Sequence, residues 1–344
     1  MTSQENKIPI KGYAGWHPLK HLWIGSGFKA EWIRHLVKDQ KIYDPLCRIA
    51  DETEEDYLAL ETICKQAGVK TYRTFLDIDK YESLEYMGQH RPPMTPRDYF
   101  AVIGETFYAG GGPISYAGYS PMLRNIDRKN LHIQRQSAMG ISTASAVRVG
   151  KDIYWDLREE ETTDECQSYV KLIKEKLESE GFRVHLTYRG YHSDSCFTIV
   201  KPGAIISLYD IQDYKTNFPG WDLCYLPDQS WELVQPFLTL KKQNKGKWWL
   251  QGEEDNNKFT HFVNTWLDDW VGYVEETVFD VNMLNIDENH VVVSSYNKTV
   301  FDFLKKHKIE PIVCNFRHRY FWDGGIHCFT QDFYREGEME DYFA

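Results

Sequence analysis

Apolar and polar positions in this 344-residue chain fall into a unit that recurs four times. Residues 98–109 read as an apolar run, a Gly104-Glu105 turn and a second apolar run. Residues 145–155 repeat this around Gly150-Lys151-Asp152, residues 197–208 around Lys201-Pro202-Gly203, and residues 281–294 around Asp287-Glu288-Asn289. Turn-forming residues between β-branched or aromatic stretches predict β-hairpins. Between them lie helical patterns. Residues 53–68 carry Tyr57, Leu58, Leu60, Ile63 and Cys64 ahead of a capping Gly68, and residues 166–181 place Tyr169, Leu172, Ile173 and Leu177 on one face. Strand-like residues 182–188 follow the second helix, and a pattern at 300–308 precedes Ile312-Val313-Cys314 in the same manner. Hairpins alternating with helices and short returning strands predict an α/β repeat closed around an axis.

Residues 209–272 break the rhythm with Trp, Asp, Lys and Asn, as in Lys242-Gln243-Asn244-Lys245-Gly246-Lys247-Trp248-Trp249. They read as an insertion forming a lid or an assembly surface, and the tryptophans between 220 and 275 serve a dimer interface or a core equally well. No low-complexity linker marks a boundary, so a single domain over 1–344 is expected.

Composition narrows the function classes. The chain is 42% hydrophobic, which is ample for a sizeable core, and its net charge of -11 argues against nucleic-acid binding. No apolar run is long enough for a membrane span, and the N-terminus is polar. The seven cysteines, at 47, 64, 166, 196, 224, 314 and 328, form no CxxC pair. Reduced thiols in a cytoplasm are expected, with neither a metal nor an organic cofactor.

The candidate chemistry centres on residues 323–330, Asp-Gly-Gly-Ile-His-Cys-Phe-Thr. A cysteine after a glycine pair sits where backbone bends tightly and a substrate can approach. With His192-Ser193-Asp194 it suggests a thiol nucleophile, a proton carrier and a carboxylate in one pocket. His327, on a segment expected to be extended, would face away and serve packing.

Four motifs, in order, resemble the amidinotransferases, a branch of the guanidine-modifying pentein superfamily. They are Gly15-Trp16-His17-Pro18-Leu19, Pro96-Arg97-Asp98 before an apolar hairpin, His192-x-Asp194-x-x-Phe197 before Pro202-Gly203, and Gly324-Gly325-x-His327-Cys328-x-Thr330. The resemblance implies a five-bladed α/β propeller of pseudo-fivefold ββαβ repeats around a central active site. Cys328 would be the nucleophile and His192 the acid/base, while Asp98, Asp194, Ser142 and Gly325 would line the substrate site. The partners implied are a guanidino donor and an amine acceptor, in a homodimer.

Two positions depart from the family. Ser142 stands where a carboxylate would orient the catalytic histidine, and Ser145 replaces a second acid. Ile211 stands where an arginine would clamp the donor carboxylate, with Lys215 a candidate replacement. Glu275-Glu276 would favour a cationic ligand. The leading reading is an amidinotransferase working through an amidino-cysteine. The alternatives are a guanidine hydrolase of the same superfamily and a catalytically weakened guanidino-binding protein.

Overall fold

The computed structural model describes residues 7–73, 80–109, 116–134, 140–157, 164–187, 192–209, 213–247, 249–271 and 278–344. Its strands are β1 (Leu19–Ile24), β2 (Lys70–Arg73), β3 (Phe100–Ile103), β4 (Thr106–Ala109), β5 (Leu131–Ile133), β6 (Ala146–Val149), β7 (Asp152–Asp156), β8 (Arg183–Thr187), β9 (Phe197–Lys201), β10 (Ala204–Ser207), β11 (Asp222–Tyr225), β12 (Leu284–Asp287), β13 (His290–Val293), β14 (Glu310–Val313) and β15 (Thr330–Arg335). They form five small sheets of three strands each: β3-β4-β5, β6-β7-β8, β9-β10-β11, β12-β13-β14 and β15-β1-β2.

Every sheet has one plan. Its first two strands pair antiparallel, and the third returns parallel to the second after a helix. The four hairpins read from the sequence are the first two strands of four sheets. Gly104 and Gly150 close two of them at φ 58° and 64°, a region where a Cβ is costly. The fifth sheet is invisible as a repeat because the chain ends share it. β15 supplies the antiparallel partner of β1, and β1 runs parallel to β2 after the helix Gln40–Gln66.

That helix starts well before the expected residue 53. Asp39 caps it by accepting from the Lys41 N–H, and Leu46, Ile49 and Ala50 extend its buried face one turn after another. The segment 209–272 is also less foreign than expected. It contains the helix Asp213–Asn217 and β11, which complete the third sheet-forming hairpin of the four in the usual way. The true excursion follows β11. Its helix Asn257–Trp266 buries Phe259, Phe262 and Val263, and Trp249 and Trp270 enter the same core beside Trp322. Those two tryptophans are therefore internal rather than interfacial. The helix Trp231–Gln243 behaves differently, leaving Leu233 62% and Leu240 42% exposed while burying Lys241.

One polar network touches all five sheets. Buried Asp332 on β15 accepts from Arg97 just ahead of β3, from Arg148 on β6 and from Arg335 on β15. Arg335 also donates to the Asn285 carbonyl on β12, and the Asn285 amide donates to the Val200 carbonyl on β9 at 2.6 Å. Burial alone would raise the Asp332 pKa, but the three guanidiniums outweigh it and hold the carboxylate well below its usual range.

Candidate active site

The candidate residues lie on the segments that lead into the first strands of the sheets, and Cys328, Asp194, His327 and Asn282 are brought into direct contact. Asp98 closes the turn Pro96–Asp98 two residues ahead of β3, and Cys328 stands two residues ahead of β15. His192 and Asp194 flank the start of the turn Ser193–Ser195 before β9, and Ser142 and Ser145 lie on the turn before β6. Asn282, two residues ahead of β12, completes the set.

Backbone geometry holds the cysteine in place. Asp323 ends a short helix, Arg319–Trp322, in the left-handed region at φ 53°. Its carboxylate accepts from Lys241 at 2.8 Å, and both side chains are buried. The chain then turns, with Phe329 N–H on the Gly325 carbonyl and Thr330 N–H on that of His327. A Cβ at Gly325 would collide with Asn282 Oδ1, which accepts from the His327 N–H at 3.0 Å and the Cys328 N–H at 3.2 Å. The other end of that amide, Nδ2, lies 3.0 Å from the Cys328 sulfur. Arg97 supports the turn from below, its Nε donating to the His327 and Thr330 carbonyls.

The sulfur lies 3.8 Å from Asp194 Oδ2, and the same oxygen is 2.6 Å from His327 Nδ1. The expectation that His327 faces away is thus corrected. Residues 326–329 form a turn instead of extended strand, so neighbouring side chains share a side and both reach Asp194. Burial, reinforced by the guanidinium of Arg97, keeps the imidazole pKa well below its ordinary value. His327 is accordingly neutral near pH 7 and donates its Nδ1–H to the carboxylate.

His192 is buried, and its carbonyl accepts from Ser195 Oγ at 2.7 Å. Asp98 is half-buried beside Tyr99 and Tyr119. Ser142 does not take up the orienting position that its place in the motif implies. Its hydroxyl lies 3.2 Å from Ser145 Oγ and accepts from the Ser145 N–H, and it makes no hydrogen bond to His192. Lys215 is exposed, while Ile211 and Glu275-Glu276 lie outside the described residues.

A narrow cavity of about 60 Å³ lies beside this cluster. Asp194 and His327 form part of its wall, together with Arg97, Arg148, Arg335 and Asn285. Asn282 stands in none of the motifs, and Arg97, though within Pro96-Arg97-Asp98, shows its supporting role only in the structure. The signal for Asn282 is positional: it precedes β12 by the same two residues that separate Asp98 from β3 and Cys328 from β15.

No family model matches the chain. Among curated proteins, the L-arginine:L-lysine amidinotransferase of Pseudomonas savastanoi pv. phaseolicola is 34% identical over 206 residues, covering 58% of this chain and 46% of that protein. The mitochondrial glycine amidinotransferase of Xenopus tropicalis is 26% identical over 153 residues, covering 44% and 29%. The chain thus spans less than half the length of these curated relatives.

Solved structures agree on the fold over nearly the whole chain. SxtG, an amidinotransferase of Microseira wollei, superposes with a TM-score of 0.68 at 18% identity, covering 97% of this chain and 100% of that one. The inosamine-phosphate amidinotransferase of Streptomyces griseus gives 0.63 at 16% identity, covering 97% and 99%. A dimethylarginine dimethylaminohydrolase gives 0.54 at 10% identity, covering 92% and 100%. Five sheets of one plan, a turn-held cysteine and these similarities lead to one conclusion: the chain is similar in sequence to amidinotransferases over about half its length and shares its fold with solved amidinotransferase structures.

Proposed function

We propose that this protein moves an amidino group from a guanidino donor, arginine being the simplest, to an amine acceptor through a covalent amidino-Cys328. The single observation that carries the proposal is the sulfur 3.8 Å from the Asp194 carboxylate, on a turn held from both sides. A guanidinium is planar and cationic, and paired N–H bonds to carboxylates fix its plane. Asp194, kept in orientation by neutral His327, takes one side of that cation, and Asp98 takes the other.

The thiolate of Cys328 attacks the guanidinium carbon, and a C–S bond forms as the carbon becomes tetrahedral. The C–N bond to the departing amine then breaks, with His192 supplying the proton that the amine carries away. The acceptor amine gives a proton to His192 and attacks the amidino carbon. The C–S bond breaks and the sulfur leaves as thiolate. The cation of the donor itself favours the thiolate it meets. The polar network joining all five sheets supports a five-bladed propeller closed around this site.

A second reading is a guanidino-binding protein of weakened turnover, and the Ser142–Ser145 pairing favours it. Two hydroxyls bonded to each other stabilise an imidazolium less than a carboxylate does. Labelled arginine with a mixed amine panel, followed by mass spectrometry, separates the readings. Transfer gives ornithine and a labelled guanidino product. Citrulline without consumption of any amine would assign the hydrolase, and unchanged arginine across the donor panel would leave the binding protein.

A further inference from the structure

We infer that Asn282 is a thiolate-binding residue, whose side-chain amide sets the ionisation of the Cys328 sulfur. The inference rests on the reading of Cys328 as nucleophile and adds a residue that no motif singled out. Its basis is the direction of the amide. Oδ1 accepts from two backbone N–H groups, those of His327 and Cys328. Reversing the amide would put its NH₂ against two donors, so the network fixes Nδ2 toward the sulfur at 3.0 Å.

An N–H aimed at a thiol finds a weak acceptor, whereas a thiolate is a strong one. The donor therefore matters most in the charged form. It also has a specific opponent. Asp194 Oδ2 lies 3.8 Å from the same sulfur, and a carboxylate at that distance disfavours a second anion until the cationic substrate arrives. Asn282, whose Nδ2 is nearer the sulfur at 3.0 Å, offsets that repulsion while pinning the turn. Both Asn282 and Cys328 are buried, at 3% and 2% exposure, so water screens neither interaction strongly. Gly325 belongs to the same device, since any side chain there would displace the amide.

The test separates the donor from the clamp. Asn282→Asp keeps oxygen acceptors for both backbone N–H groups and replaces the donor by a second carboxylate. Thiolate absorbance near 240 nm, taken as the difference between each protein and its Cys328→Ser counterpart, is followed against pH. The midpoint is expected to rise by about one to two pH units in Asn282→Asp, the worth of one charge-assisted hydrogen bond, and by less in Asn282→Ala. In ¹⁵N-labelled wild type the Asn282 Nδ2–H resonances should move with the same midpoint as the absorbance. That arm needs no variant to fold. A midpoint in Asn282→Asp that coincides with wild type, or amide resonances that stay still while the sulfur titrates, would overturn the inference. Neither readout requires turnover. A normal shift without any amidino transfer would count against the enzymatic reading alone.

Discussion

Two turns that face the same site are built on opposite principles. Ahead of β6, the side chains of Ser142 and Ser145 satisfy each other, hydroxyl to hydroxyl and hydroxyl to backbone, while Thr143 donates to the Phe100 carbonyl and to Gln331 and the Ser145 carbonyl accepts from Ser193. Ahead of β15, the cysteine turn is held by groups from elsewhere: Asn282, Arg97, and Lys241 through Asp323. Self-satisfied polar groups are inexpensive to bury and ask nothing of a substrate. A turn clamped from three directions keeps a reactive sulfur beside a carboxylate that would otherwise repel its anion. The contrast sets the proposed nucleophile's turn, held by distant side chains, apart from the serine turn, whose two hydroxyls hold each other.

Breaking the nucleophile side gives the largest effect. Cys328→Ser is expected to lower amidino transfer by at least about 10⁴-fold, measured as ornithine release, with the melting profile unchanged. Retained transfer would move the chemistry to another residue. The tie from the helix Trp231–Gln243 comes next. Lys241→Met removes the cation from a buried carboxylate and should cost about 3–5 kcal/mol in urea unfolding, while Lys241→Met with Asp323→Asn should recover most of it. Equal losses in the single and double variants would show that the charge pair is immaterial.

A smaller effect belongs to the arginine network beneath β15, where the His17 carbonyl accepts from Arg335. Burial holds the His17 pKa at about 4, against 6.5 for the free side chain. The unfolded chain therefore binds a proton that the folded one refuses. Stability from this group is complete above pH 6.5, falls by about 3 kcal/mol as pH drops to 4, and is flat below that. His17→Gln should flatten unfolding free energy over that window, and an unaltered slope would contradict the assignment. The smallest effect sharpens the weak side. Ser142→Asp keeps an acceptor for the Ser145 N–H and restores the carboxylate that the resemblance implies at this position, so it should raise turnover about tenfold or more. A fall instead would give the serine pair a role of its own.

Much of this was legible in the chain for identifiable reasons. Hairpins announced themselves because Gly104 and Gly150 must sit in the left-handed region between apolar runs. Cys328, Asp194, His192 and Asp98 stood out because their motifs carry reactive groups in a fixed order. What stayed hidden depends on relations between distant residues. The sheet that joins β1 to β15 has no local period, since its antiparallel pair is made by the two ends of the chain. Asn282 looks like any polar residue before a strand until its amide meets a sulfur 46 positions away. His327 shares a side with Cys328, against expectation, because residues 326–329 turn instead of extending, and nothing local in the sequence marks that turn. β11 was lost among tryptophans and charges, although its partner β10 is fully buried.

The account turns on one covalent bond, and intact-peptide mass spectrometry reads it directly. Protein quenched in acid during reaction with an excess of labelled arginine should carry the labelled amidino group on the peptide containing Cys328, and an amine acceptor should remove it. A peptide that stays unlabelled while arginine is consumed, or a label that settles on another cysteine, would contradict the central claim.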